Sequence, residues 1–201
     1  MSLPPQLSGL RVIDVLCRSG KGAFKLSDAV GDAGFVLGID PDKSCIERAI
    51  VAASGNHRSG HGWSRYLRFE QAFPENLAQA GVSDASYDAV YVNCGLVDVF
   101  DLPAALAEFH RCLKPGGFLW VAEGVFRGAN DHEDGDSDEP APMQAAPHRT
   151  LTIDAFAALC RDAGFGRVEV ADVVPVPSGQ LVLPECCERT SLVMADIKAT
   201  V

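Results

Sequence analysis

The chain has 201 residues and a formal net charge of −10, with 47 % hydrophobic and 22 % charged residues. That balance excludes a wholly disordered chain and affords a single globular domain spanning 1–201. The acidic surplus excludes non-specific nucleic-acid binding and adhesion to anionic membranes, both of which need a surplus of Lys and Arg.

No apolar run reaches the roughly 18 residues of a membrane helix. Met1–Gly9 lacks the charged and apolar regions of a secretory signal. The seven cysteines are scattered, with Cys186 and Cys187 adjacent and no C-x-x-C pair. This usage predicts free thiols in a reducing, cytoplasmic setting, and no metal.

Strands and helices alternate along the chain. Leu10–Leu16 is an apolar, β-branched run that ends in the turn Arg18-Ser19-Gly20. Gly22–Val30 has the apolar spacing of a helix, stopped between Gly31 and Gly34. Phe35–Ile39 is a second buried strand ending at Asp40, and Pro41 is expected to open the next helix. The Gly- and His-rich stretch 54–63 is a loop. Tyr66–Glu70 is a third strand and Pro74–Ala80 a short helix.

Tyr87–Asn93 is a fourth strand, Leu102–Leu113 a helix, Lys114-Pro115-Gly116-Gly117 a turn, and Phe118–Ala122 a fifth strand. Residues 128–147 are acidic and interrupted by Pro140, Pro142 and Pro147, which predicts a flexible loop. Thr152–Ala163 is a helix with Thr150 and Thr152 as cap candidates. Phe165–Val170 and Ser191–Lys198 complete the strands. Near-continuous apolar strands between helices predict an α/β, doubly wound sheet covered on both faces. Ligands of such sheets bind at the carboxyl ends of the strands.

The residues after those strands narrow the ligand. A phosphate-binding P-loop fails at Val15 and Gly22, and a dinucleotide fingerprint fails at Lys25. Asp14 beside the first turn opposes a pyrophosphate and favours a ligand with positive charge at that end. Asp40 suits ribose hydroxyls, for which a carboxylate is an acceptor. Both acids also suit the plainer role of capping turns and helices.

Val12-Ile13-Asp14 through Gly20, Val36–Asp40, Tyr87-Asp88-Ala89-Val90 and Cys112–Gly117 together resemble class I S-adenosylmethionine-dependent methyltransferases. The stretches around Asn93-Cys94 and Arg111–Gly117 are similar to the small-molecule branch that contains ubiquinone-biosynthesis and arsenite methyltransferases. The resemblance implies a Rossmann-like, seven-stranded, mostly parallel sheet of order 3-2-1-4-5-7-6 with the last strand antiparallel. It implies S-adenosylmethionine as cofactor, held by Asp14, Val15, Leu16, Cys17, Arg18, Ser19, Gly20, Asp40, Pro41, Ala72, Phe73, Asn93 and Cys94. It implies a small-molecule or protein methyl acceptor, and Glu123 is the candidate general base. Cys94, with Cys17 nearby, matches a position that binds trivalent arsenic in the arsenite branch.

The departures from the family pattern are specific. Leu16 and Arg18 stand where the family's first motif has glycine, adding bulk and a left-handed backbone penalty. Arg18 offers in return a partner for the cofactor's carboxylate. Phe73 replaces an acid expected against adenine, as a stacking ring or as core, and Glu75 is the alternative polar contact. The covering N-terminal helices of the family are expected from a partner protein or a second copy, if at all. These departures leave a catalytically inactive, scaffold-type methyltransferase-like domain as the alternative function.

Overall fold

The computed structural model describes residues 3–55, 66–96, 99–126, 152–175 and 192–201. The acidic stretch 128–147, His57, His61, His148, Thr150, Cys186 and Cys187 lie outside them. Seven strands form one sheet in the order β3-β2-β1-β4-β5-β7-β6. They are β1 Arg11–Val15, β2 Phe35–Asp40, β3 Leu67–Gln71, β4 Tyr87–Asn93, β5 Leu113–Phe126, β6 Arg167–Pro175 and β7 Leu192–Thr200. β1 to β5 pair in parallel, and β7 runs antiparallel to both β5 and β6. The order and the reversed last strand agree with the resemblance drawn from the sequence.

The helices are α1 Lys21–Val30, α2 Lys43–Gly55, α3 Leu102–Cys112 and α4 Ile153–Asp162, with a 3-10 turn at Leu77–Ala80. Alternation along the strands splits the core between two faces. Val12, Val36, Ala89, Tyr91 and Trp120 join Ala23, Leu26 and Val30 of α1 and Ile46 and Ala49 of α2. Ile13, Val15, Leu37, Ile39, Val90, Val92, Leu119 and Val121 face Leu102, Leu106 and Phe109 of α3 and Phe156 and Cys160 of α4. Buried on both faces, the strands need the near-continuous apolar runs seen in the sequence.

Several boundaries differ from the sequence reading. α2 begins at Lys43 rather than Pro41, because the Asp42 carboxylate accepts from the Ser44 amide (2.8 Å) and sets the start of the helix. The helix expected over Pro74–Ala80 shrinks to its last four residues, Leu77–Ala80, as a 3-10 turn. β5 is far longer than expected and takes in Lys114–Gly117 as an irregularity: Tyr87 pairs Leu113, and the next partners are Ala89 and Phe118. Asp88 explains why the chain bulges there. Its carboxylate accepts from the Arg11 amide (2.8 Å) and from Lys114 Nζ (2.7 Å), so it ties together the starts of β1, β4 and β5.

α3 is capped by Asp101, which accepts from the Ala104 amide (3.0 Å), and α4 by Thr152, which accepts from the Ala155 amide (3.1 Å). β6 reaches Pro175 and β7 reaches Thr200, because their pairing runs from Arg167↔Thr200 to Pro175↔Val193, broken only by an irregularity between Val170 and Asp172. His110 packs edge-to-face on Phe165, with ring centroids 5.3 Å apart, so its role is packing at the α3–β6 end.

Gly38 is where the sheet has least slack. A Cβ there would meet the Phe69 ring at 2.6 Å. Gly38→Ala is therefore expected to destabilise the fold by about 1–3 kcal/mol through overpacking, read as a lower urea midpoint at unchanged slope.

Candidate functional site

The carboxyl ends of β1, β2, β4 and β5 bring most of the sequence-derived residues to one edge of the sheet. Asp14 is in β1 and only 3 % exposed. Its carboxyl is aimed at the start of α1, where the Ala23 amide donates to it. Gly22 makes that approach feasible, since a Cβ there would lie 2.9 Å from Asp14 Oδ2. Oδ2 itself has no hydrogen-bond partner among the described residues. Burial pushes the Asp14 pKa up to about 8, against the Ala23 amide, which lowers it, and with a smaller upward push from Asp40.

Asp40 is 5 % exposed at the end of β2. Its Oδ2 accepts from the Arg18 amide (2.9 Å) and its Oδ1 from the Asp42 amide (2.9 Å). One carboxylate thus joins the turn after β1 to the turn after β2. A carboxylate has about four acceptor positions, so lone pairs remain on both oxygens.

The turn after β1 keeps a left-handed path at alternate residues: Leu16 at φ 57°, Arg18 at φ 52° and Gly20 at φ 82°. The motif's glycine conformations are present although two of the glycines are not. A left-handed residue with a side chain costs about 1–2 kcal/mol. Leu16 turns into the core on the α3 face and packs over Gly95, where an added Cβ would lie 2.9 Å from its Cδ1. Burying a leucine contributes about 1.5–3 kcal/mol, enough to offset the strain. Arg18 is exposed, and its Nη2 reaches across to the Cys94 carbonyl (3.4 Å). Val15 is buried, Ser19 half-buried, and Cys17 buried against Gly38, where an added Cβ would lie 3.1 Å from its Sγ. Burial, and then the two aspartates, push the Cys17 thiol up, so it stays protonated.

One backbone bond and one side-chain bond tie the wall after β3 to the end of β2. The Ala72 amide donates to the Asp40 carbonyl (3.3 Å), and Gln71 Nε2 to the Pro41 carbonyl (2.9 Å). Phe73 is 53 % exposed, which removes the core reading of this ring. Glu75 is turned elsewhere: Oε1 accepts from the Phe100 amide (2.9 Å) and the Asp101 amide (3.0 Å), bracing the start of α3.

Asn93 ends β4, within 3.5 Å of the Tyr91 hydroxyl. Cys94 follows at φ 51°, exposed, with its amide on the Ala122 carbonyl (2.8 Å). Burial and the neighbouring Glu123 raise its thiol pKa. Glu123 is 6 % exposed and lies within β5, just past the last residue that pairs with β4, rather than after the strand as the sequence suggests. Its Oε2 accepts from the Leu96 amide (2.9 Å) and its Oε1 from the Gly124 amide (3.1 Å). Among the described residues, no group of three His, Cys, Asp or Glu side chains is placed to hold a metal. Gly22, Gly95 and Leu96 fall in strand-end stretches that the sequence marks, although their roles are not legible there; Gly38, inside a strand, has no such signal.

Comparison with known proteins gives the family and the fold. The family described as "Methyltransferase domain" matches residues 6–155. The chain is 30 % identical over 191 residues to an arsenite methyltransferase of Mus musculus, covering 92 % of this chain and 50 % of the relative. It is 35 % identical over 117 residues to a demethylmenaquinone methyltransferase of Staphylococcus aureus, covering 57 % and 43 %. Among solved structures, an arsenic (III) S-adenosylmethionine methyltransferase from Chlamydomonas reinhardtii superposes with a TM-score of 0.76 at 25 % identity, covering 98 % of this chain and 65 % of that one. The chain spans half or less of the length of these curated relatives. S-adenosylmethionine is the methyl donor named for the Chlamydomonas protein. The residues fit it at the decisive end, because the orphaned Oδ2 of Asp14 lacks the donor or cation that such a group carries.

A carboxyl whose pKa rises from 3.8 to about 8 on folding holds a proton that the unfolded chain has released. Stability is therefore greatest below pH 4 for this group and declines as pH climbs towards 8. Asp14→Asn removes the ionisable group. The variant is expected to melt higher than wild type at pH 8, by about 1–2 kcal/mol, with the gap narrowing as pH falls and closing only below pH 4; thermal unfolding from pH 8 down to that range checks it.

Proposed function

The chain belongs to the methyltransferase-domain family, and we propose that it transfers a methyl group from S-adenosylmethionine to a small-molecule acceptor. The observation that carries the proposal is the pair of buried carboxylates at the ends of β1 and β2, one with an oxygen lacking any partner among the described residues. Bound S-adenosylmethionine supplies an electrophilic methyl on a sulfonium, whose sulfur keeps the electron pair of the broken bond while the acceptor's lone pair forms the new one. The protein's part is alignment and exclusion of water.

Asp14 faces the cationic end, and in its ionised form it neutralises it. Asp40 accepts from the ribose hydroxyls with the lone pairs left over from Arg18 and Asp42. The exposed ring of Phe73 lies against the adenine face. Pro41, Ala72, Asn93 and Cys94 wall the crevice, and the backbone of Val15, Leu16, Cys17, Ser19 and Gly20 shapes its floor. Arg18 leaves the Cys94 carbonyl, a long bond at 3.4 Å, for the stronger charge-assisted bond to the cofactor's carboxylate. The relatives cited above are named as enzymes, which favours catalysis over a scaffold role. The five described cysteines are free, which supports a reducing, cytoplasmic setting. No helix among the described residues is long and apolar enough to cross a membrane.

S-adenosylhomocysteine at millimolar concentration is expected to raise the melting midpoint of wild type and to leave that of Asp40→Ala unmoved. No shift in wild type refutes the proposal. In Arg18→Gly, relief of the left-handed strain is expected to stabilise the ligand-free protein by about 1 kcal/mol. Its affinity for S-adenosylhomocysteine should nevertheless fall, and tighter binding by this variant would refute the part given to Arg18.

A further inference from the structure

Glu123 occupies the place of a general base in the sequence reading, but its surroundings assign it other work. The side chain is 94 % removed from solvent by its 6 % exposure, and both oxygens already face donors: Leu96 N at 2.9 Å and Gly124 N at 3.1 Å. The first of these bonds crosses from β5 to the turn after β4. That turn is the segment in which Cys94 is left-handed and in which Gly95 carries the Leu16 side chain. Three further ties converge on it: the Cys94 amide to the Ala122 carbonyl, Arg18 Nη2 to the Cys94 carbonyl, and the Leu16 packing. Glu123 is the ionisable side chain among them that holds the turn from the sheet side.

We infer that Glu123 is a positioning residue: its carboxylate fixes the Cys94–Leu96 turn in the conformation that closes the cofactor crevice over β4, and it does not take a proton from the methyl acceptor. The inference rests on the proposed cofactor site. Its physical basis is that a buried carboxylate satisfied by two amides is a strong, directional tie. An amide in its place presents a donor to one of those N–H groups and breaks one bond while keeping shape and volume.

The test is Glu123→Gln in the full chain, with S-adenosylhomocysteine as probe and amide hydrogen exchange as a second readout. In wild type the Leu96 amide should be protected. In the variant it should exchange at least tenfold faster while Val121 in the core of β5 stays protected, and S-adenosylhomocysteine should bind at least tenfold more weakly. A freely exchanging Leu96 amide in wild type overturns the inference without reference to ligand. So does a variant that binds S-adenosylhomocysteine as wild type does, since a proton acceptor for the methyl acceptor has no hold on the cofactor. If wild type does not bind the probe, the cofactor reading fails, and the exchange of Leu96 still decides whether Glu123 holds the turn. Glu123→Asp, too short to span to Leu96, should share the exchange phenotype; protection retained in it would also overturn the inference.

Discussion

Buried carboxylates that accept backbone amides are the constraint on which this edge of the sheet depends. A parallel sheet delivers its strand ends to one rim, but the turns that leave the rim have no ladder to fix them. Asp40 takes the Arg18 and Asp42 amides, Glu123 takes those of Leu96 and Gly124, and Asp14 takes that of Ala23. The bonds to Arg18, Asp42 and Leu96 link turns to strands that the core already holds in place, and that to Ala23 links β1 to α1. The cost is desolvation of negative charge, and it is met where the amides are numerous. Asp40 and Glu123 are each met by two amides, whereas Asp14 retains an unmet oxygen, and its raised pKa records the difference.

That asymmetry separates shape from binding. Asp40 and Glu123 each commit both oxygens to backbone amides. Asp14 holds capacity in reserve, at the point where a positively charged ligand would meet it. A binding site of this kind is less stable empty than a neutral substitute would be.

Most of the fold was legible because the strands bury both faces, so apolar runs such as Val12–Val15 and Val36–Ile39 have little alternative, and the motif resemblance supplied their order. The boundaries that moved did so for local reasons absent from periodicity. Asp42 displaced the start of α2 from Pro41, and Asp88 held Lys114 so that the Pro-Gly-Gly turn became a bulge within a longer strand. In the site, Asp14, Asp40 and the turn between them were readable from their place after strands. Phe73 was not decided by sequence, because a lone aromatic after a strand has the same pattern whether it faces core or solvent. Glu123 was readable as an acid following an apolar run, but β5 continues past it and its tie to Leu96, 27 residues away in the chain, is set by tertiary packing.

The altered glycine motif follows the same logic. Sequence alone sets the bulk of Leu16 and Arg18 against the left-handed path that the turn needs. The fold keeps the path and redistributes the bulk, Leu16 inward over Gly95 and Arg18 outward to the Cys94 carbonyl. Preserving a strained backbone while changing the side chains that carry it means the backbone geometry is the constrained quantity. Packing over Gly95 offsets the strain at Leu16, whereas Arg18 is exposed and carries its strain without such packing. Retention of three left-handed residues between β1 and α1, two of them not glycine, therefore argues for a turn shaped to receive a ligand.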